Sequence, residues 1–326
     1  MRAPAFWGPG HYWLPTLLSP LSTLYGLAGR LRRATTTAVR PSVPVICLGN
    51  ITVGGAGKTP ATLAVARHLK AHGRHPHILT RGYGGSAKGP LRVDPNHNAR
   101  EVGDEAVLLA RVAPTWVGAD RVDTARFAVA AGADVLVMDD GFQNPDLAQD
   151  LSFLVVDGGF GLGNGRILPA GPLRESPADA LARATAVIYI VDPGGDAGGP
   201  PPPGIDRVPV FPARLEPTPE AAVFVDHPVI AFAGIGRPAK FFNTLRAMGI
   251  RVVESYGFPD HHVFTADDMM TLIDSAVSRD AKLVTTEKDA VRLPPEARDM
   301  VEVLRVSLQF DDNQALDILL SPILDV

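Results

Sequence analysis

The chain has 326 residues, 46% hydrophobic and 20% charged, a globular balance long enough for one large domain or two smaller ones. Lys and Arg total 31 against 35 Asp and Glu, a formal net charge of −4, which gives no global electrostatic argument for nucleic acid and leaves any anion binding local. The single cysteine, Cys47, excludes an intrachain disulfide and a multi-cysteine zinc site, and its apolar setting reads as core.

From His11 to Gly29 there is no Asp, Glu, Lys or Arg, and a basic cluster of Arg30, Arg32, Arg33 and Arg40 follows. A membrane-spanning helix needs about 20 predominantly apolar residues. Here Pro15 and Pro20 interrupt the stretch, and Ser19, Ser22 and Thr23 dilute it. Residues 1–40 therefore read as a membrane-associated helical segment lying in the interface. Trp7, Tyr12, Trp13 and Tyr25 suit the headgroup boundary, and the arginines suit anionic lipid. An amphipathic helix packed on the protein's own core is the other reading. Only Arg2 precedes the apolar stretch, which argues against a signal peptide.

Val43–Leu48 is a short β-branched run bounded by Pro and Gly, a buried strand that leads into a glycine loop. Pro60–Ala71 follows with helical spacing, Leu63, Ala64, Ala66 and Leu69 forming its apolar stripe. Apolar runs at His77–Thr80, Ala133–Met138, Leu151–Val156 and Ala186–Val191 read as parallel strands, with helices over Asp104–Val112 and Thr124–Ala131. The alternation predicts an α/β fold with a doubly wound, mostly parallel sheet. Asp192–Gly204, rich in Gly and Pro, can build neither helix nor central strand and reads as a mobile linker. Residues 41–215 then form the main domain. A smaller α/β unit spans 216–326, with elements at Val229–Ala233, Phe241–Met248, Arg251–Glu254, Ala266–Ser278 and Lys282–Thr285.

Between the first strand and its helix lies Thr52-Val53-Gly54-Gly55-Ala56-Gly57-Lys58-Thr59. Glycines here let successive backbone N–H groups turn inward around phosphate oxygens, and the helix presents its positive end. Lys58 would neutralise β/γ-phosphate charge, and the Thr59 hydroxyl would coordinate Mg²⁺. This is a nucleotide-binding P-loop in its required strand–loop–helix context, although Thr52 stands where the first glycine is usual. Val135-Leu-Val-Met-Asp139-Asp140 adds an apolar strand ending in two acids at the carboxyl edge of the sheet, where a Walker B carboxylate holds the metal or its water.

Taken together, these landmarks make the chain resemble the tetraacyldisaccharide 4′-kinase family over most of its length. They are Gly49–Pro60, Arg81–Gly85, Gly103-Asp-Glu105, Asp139-Asp-Gly-Phe-Gln143, Leu168–Glu175, Phe258-Pro-Asp-His261 and Thr286-Glu-Lys-Asp289. The resemblance implies transfer of the ATP γ-phosphate to the 4′-hydroxyl of a lipid disaccharide 1-phosphate at the cytoplasmic face of a bacterial inner membrane, with no protein partner. It further implies that Asp104 is the catalytic base and His261 its partner, a chemically sensible pair because an imidazole can orient a carboxylate and share its proton. Glu105 could join Thr59 and an aspartate around Mg²⁺. Asn50, Arg81, Tyr83, Gln143 and Arg174 are the candidate substrate contacts. Two departures are Ala56, where the family usually has Thr, and Asn144, where it usually has His.

Asp104 and His261 come from different units, so the two units are expected to hinge together for chemistry. Other P-loop proteins remain as competitors. A switch GTPase usually carries an Asn-Lys-x-Asp element, absent from this sequence, whereas a small-metabolite kinase would use the apolar N-terminus only as a packed helix.

Overall fold

Burial on both faces explains why the central strands read as continuous apolar runs. The structure, a computed structural model, describes residues 4–8, 13–191, 204–224 and 227–325. In chain order come α1 (Trp13–Thr35), β1 (Val45–Gly49), α2 (Lys58–Ala71), β2 (Pro76–Thr80) and β3 (Leu91–Arg92). Next are α3 (Ala99–Val102), α4 (Asp104–Ala110), β4 (Thr115–Val117), α5 (Arg121–Ala130), β5 (Val135–Asp139), β6 (Leu151–Asp157), α6 (Pro177–Leu181), β7 (Ala186–Val191) and β8 (Val210–Pro217). The remainder is β9 (Val229–Ala233), α7 (Pro238–Ala247), β10 (Val252–Gly257), α8 (Ala266–Ser278), β11 (Lys282–Thr286), α9 (Glu287–Ala290), β12 (Val301–Leu304), β13 (Val306–Phe310) and α10 (Asn313–Leu324).

Nine strands form one sheet in the order β13-β8-β7-β6-β1-β5-β2-β4-β3. Only the edge strands β13 and β3 run antiparallel to their neighbours. Strand β1 lies between β5 and β6, so the chain builds the sheet outward in two directions from it. That reversal opens a crevice at the carboxyl ends of β1 and β5, the usual ligand position in such sheets. Residues alternate cleanly between two core layers. Ile46, Leu48, Val137 and Phe153 face α2 and α10, while Cys47, Leu136, Met138 and Leu154 face α5 and α6.

A second, all-parallel sheet has the order β10-β9-β11-β12, with α7 on one face and α8 on the other. The chain then leaves it. Strand β13 pairs with β8, and α10 packs Leu316, Leu320 and Ile323 into the core of the larger sheet. The end of the expected 216–326 unit thus lies with the first sheet, because the alternating β13 finds its partner edge there. The Gly- and Pro-rich run over 192–203 and Tyr12 lie outside the described residues.

Helix α1 runs continuously through both prolines. Pro15 falls in the first turn, where the missing N–H would have had no intrahelical partner, and Pro20 gives up a single internal bond. Its orientation inverts the usual rule. Ser19 and Ser22 face inward, the Ser22 hydroxyl donating to Ile167 O at 2.8 Å and the Ser19 hydroxyl accepting from Arg166 at 2.7 Å. Trp13, Leu17, Leu21, Leu24 and Leu31, spaced as one helical stripe, are 54–75% exposed. The basic cluster is paired within the protein: Arg30, Arg32, Arg33 and Arg40 meet Asp179, Asp146, Glu175 and Asp150. The first three pairs link the helix to the rest of the protein while its apolar stripe faces out. Among the described residues no helix is long and apolar enough to cross a membrane.

Phe153, fully buried at the middle of β6, is a direct probe of the larger core. Phe153→Ala is expected to lose about 3–5 kcal/mol of stability, read as a lower urea midpoint at unchanged slope.

Candidate active site

The P-loop begins where β1 ends, and its fold is set by close approach. Gly57 caps α2 in the left-handed region (φ 79°), and a Cβ there would sit 2.4 Å from Ile190 Cδ1. Register then brings the acids alongside, since Leu48 of β1 pairs with Asp139 of β5. The segment 168–175 runs back along the loop, Val53 N donating to Pro172 O at 2.8 Å and Arg174 N to Ile51 O at 2.6 Å. Arg174 is thereby carried to Asp140.

A polar network results. Lys58 Nζ donates to Asn50 Oδ1 at 3.0 Å and lies 3.6 Å from Asp140. Arg174 reaches both Asp140 and Gln143 Oε1 at 3.1 Å. Gln143 in turn donates to Asn50 O at 2.8 Å and to Glu175 at 3.1 Å. Buried Glu175 also accepts from Arg183 at 2.9 Å and lies 3.4 Å from Arg33 of α1. Asn50, Gln143 and Arg174, expected as substrate contacts, are bonded to Lys58, Asp140 and one another. The Gln143 and Arg174 links join residues remote in sequence, so no local signal announces them.

The adjacent aspartates diverge. Asp140 takes a left-handed backbone (φ 50°), uncommon for a non-glycine residue, which turns its carboxylate to Lys58 and Arg174. Burial alone would raise its pKa, but those two cations hold it below the ordinary carboxylate value. Asp139 is buried and accepts a 2.9 Å hydrogen bond from Thr62. Burial, followed by the charges of Glu105 and Asp140, pushes its pKa up.

A second cluster joins the two sheets. Asp104 opens α4, only 4% exposed, after Gly103 at φ 88°, where a Cβ would lie 2.7 Å from Tyr83 O. His261, in the loop after β10, brings its Nδ1 to 3.0 Å from Asp104 Oδ2. Lys288 of α9 lies 3.1 Å from Glu105, 3.5 Å from His261 Nε2 and 4.0 Å from Asp104, and Arg292 Nε is 3.6 Å from Asp104. Burial works to raise the Asp104 pKa, yet the His261 hydrogen bond and the Lys288 and Arg292 charges outweigh it and hold the carboxylate below its usual value. Burial likewise works against the Lys288 charge, but Glu105, Asp104 and Asp260 keep its pKa raised.

The structure thus brings Asp104 and His261 together across the two sheets. Arg292 escaped sequence reasoning, its only signal being the four-residue spacing from Lys288. Lys288 itself lies in the Thr286-Glu-Lys-Asp289 landmark. Tyr83 is largely exposed with its ring 5.3 Å from that of His261, and Arg81 stands exposed after β2. Asn144, the family departure, caps its own turn by accepting from Asp146 N at 3.1 Å. A cavity of about 340 Å³ opens beside the pair, lined by Tyr83, Arg100, Asp104, His261, Arg292 and Arg298. Nearby, the turn before α7 meets the P-loop: a Cβ on Gly236 would sit 3.4 Å from Gly55 N, and Arg237 and Lys240 pair with Asp157.

A strand–glycine loop–helix unit at a topological switch point, with paired acids on the neighbouring strand, defines a P-loop phosphotransferase. A family model described as tetraacyldisaccharide-1-P 4′-kinase matches residues 14–324, and the chain belongs to that family of kinases. A Gluconacetobacter diazotrophicus protein named tetraacyldisaccharide 4′-kinase is 54% identical over 332 residues, covering 100% of this chain and 99% of that one. One of the same name from Rhodospirillum centenum is 51% identical, over 99% and 97%. Among solved structures, the "apo" form of LpxK from Aquifex aeolicus in complex with ATP is 28% identical, with a TM-score of 0.77 over 95% of this chain and 99% of that one.

Glu175 ties α1, the 168–175 segment and Gln143 together. Glu175→Ala should cost about 1–3 kcal/mol in urea unfolding, because it strands arginines that water only partly reaches, and Glu175→Gln should cost less.

Proposed function

We propose that this kinase transfers the γ-phosphate of ATP to the 4′-hydroxyl of a tetraacylated glucosamine disaccharide 1-phosphate, with Asp104 as base. The observation that carries the reading is the 3.0 Å Asp104–His261 contact beside a cavity. In this scheme residues Thr52–Thr59 wrap the phosphates, and Lys58 leaves Asp140 to meet the β/γ oxygens. The acceptor oxygen attacks phosphorus in line, the bond to the β,γ-bridging oxygen breaks, ADP leaves, and the hydroxyl proton passes to Asp104. His261 orients the carboxylate. Lys288 and Arg292 keep it ionised until the proton arrives.

The donor chemistry suits Mg²⁺. Magnesium keeps several waters and takes one or two carboxylates alongside substrate phosphate. Thr59, Asp139, Asp140 and Glu105 would supply oxygen donors, and Asp139, whose pKa is raised by burial and then by the charges of Glu105 and Asp140, would be relieved by a cation. Bound there, Mg²⁺ would neutralise charge on the transferring phosphate.

The exposed stripe on α1 supports docking on the cytoplasmic surface of the inner membrane, where the acceptor lipid would be reached without a spanning segment.

Incubation with γ-labelled ATP and tetraacyldisaccharide 1-phosphate should label the lipid, and an unlabelled lipid at saturation eliminates the named reaction. Lys58→Ala should abolish transfer, and Asp104→Asn should lower kcat by about 10²–10⁴, the usual contribution of a general base. Undiminished Asp104→Asn turnover overturns the base assignment. Lys288→Met removes a positive charge that favours the ionised form of Asp104, so the acid limb of its kcat/KM profile should move to higher pH than in the wild type.

Flotation with phospholipid vesicles checks the helix. Leu17→Glu with Leu24→Glu should leave the protein in the dense fraction while transfer to detergent-dispersed lipid persists. Unchanged flotation refutes interfacial docking.

A further inference from the structure

Far from the nucleotide crevice, two histidines and an aspartate converge. His68 lies in the last turn of α2 and His72 caps its end, four residues on, so both imidazoles share one face. Asp317 comes from α10. His68 Nε2 is 2.6 Å from Asp317 Oδ1, and His72 Nε2 is 3.4 Å from the same oxygen. All three donor atoms lie within 4.8 Å of one another.

The tautomers are informative. His72 Nδ1 lies 3.0 Å from the His68 carbonyl, which can only accept, so Nδ1 carries the hydrogen. In the neutral ring this leaves the His72 Nε2 lone pair aimed at a carboxylate oxygen. Imidazole nitrogen and carboxylate oxygen, both potential ligand atoms, thus converge at 3.4 Å. A backbone carbonyl fixing the far nitrogen of an imidazole is also the usual means of orienting a metal-binding histidine.

The scaffold is rigid. His68 precedes Leu69, and Asp317 follows Leu316; both leucines are fully buried in the same core layer of the larger sheet. A tetrahedral Zn²⁺ holds donors at about 2.0–2.1 Å from itself, hence about 3.3 Å from each other. The observed 2.6 Å and 3.4 Å separations bracket that spacing, so small side-chain rotations would admit the ion. His72 and Asp317 are about 40% exposed, which leaves a solvent-facing position for a water ligand.

We propose that His68, His72 and Asp317 form a binding site for a divalent transition-metal ion of the Zn²⁺ class. Two imidazoles and one carboxylate select such ions over Mg²⁺ or Ca²⁺, which prefer all-oxygen sets. Occupancy clamps the C-terminal helix α10 to the far end of the helix that opens with Lys58 and Thr59. The site is separate from the catalytic carboxylates and independent of the acceptor's identity.

Calorimetric titration of the chelator-treated full chain with Zn²⁺ tests this. The wild type should take up one equivalent and gain melting temperature. His72→Ala and Asp317→Asn should each weaken that equivalent by at least about tenfold, the lower end of what even outer-layer groups contribute, and lose the thermal gain. Both side chains are substantially exposed, so metal-free variants should melt close to the wild type. Absence of saturable uptake at micromolar Zn²⁺ reduces the cluster to an ion pair and overturns the proposal. An equivalent retained at full affinity in both variants places the ion elsewhere and overturns it equally.

Discussion

Burying a carboxylate is unfavourable unless opposite charge surrounds it, and the side-chain partners of Asp104 belong to the smaller sheet. Asp104 stands on α4 of the larger unit, while His261, Lys288 and Arg292 lie on loops and turns that follow β10 and β11. Within the assembled site, burial alone would drive this 4% exposed acid toward the neutral form, and the partners from the smaller unit reverse that. The charge state of this residue is thus tied to the contact between the two units.

Lys288 extends the same logic. It bridges Glu105 and His261 while facing Asp104, so one ammonium serves both acids that open α4. Arg292 is itself fixed by buried Asp289, which also accepts from Gly234 N in the turn leading to the P-loop. A continuous polar path thus runs from the acid–histidine pair to the Gly234–Arg237 turn, where Gly236 approaches Gly55. A second path links α1 to Lys58 through Arg33, Glu175, Gln143 and Asn50. Both are contiguous and partly buried, which fixes loop positions that short strands alone would leave loose.

Local features were legible in the sequence. The run into Thr52–Thr59, the strand ending at Asp139 and helix Ala266–Ser278 carry their signals within a few residues. Elements whose reason for forming lies elsewhere were not. Strand β13 alternates like an ordinary edge strand, and nothing local says that its partner is β8, ninety residues earlier in the chain. Strands β3 and β4 are too short for a periodic signal. The composition of α1 left its orientation open, and only the inward hydrogen bonds of Ser19 and Ser22 show that its apolar stripe turns away from the core. The pairing of its arginines was invisible for the same reason, since Asp146, Asp150, Glu175 and Asp179 are all remote in sequence. The family pattern marked Asp104 and His261, yet Arg292 had no motif to announce it.

Asp139 and Asp140 show how little sequence adjacency means for chemistry. Continuing as a strand would have sent their side chains to opposite faces of the sheet. Instead the left-handed turn at Asp140 swings it outward to two cations, and Asp139 stays beneath Thr62 among other negative groups. The cations are largely committed to Asp140, and Lys58 only partly offsets the charge of Asp139. Groups whose environments drive their pKa values apart take different parts in a reaction. Asp140 is the acid whose charge the protein already balances, through Lys58 and Arg174. Asp139, buried and then flanked by the charges of Glu105 and Asp140, is the one left under-compensated.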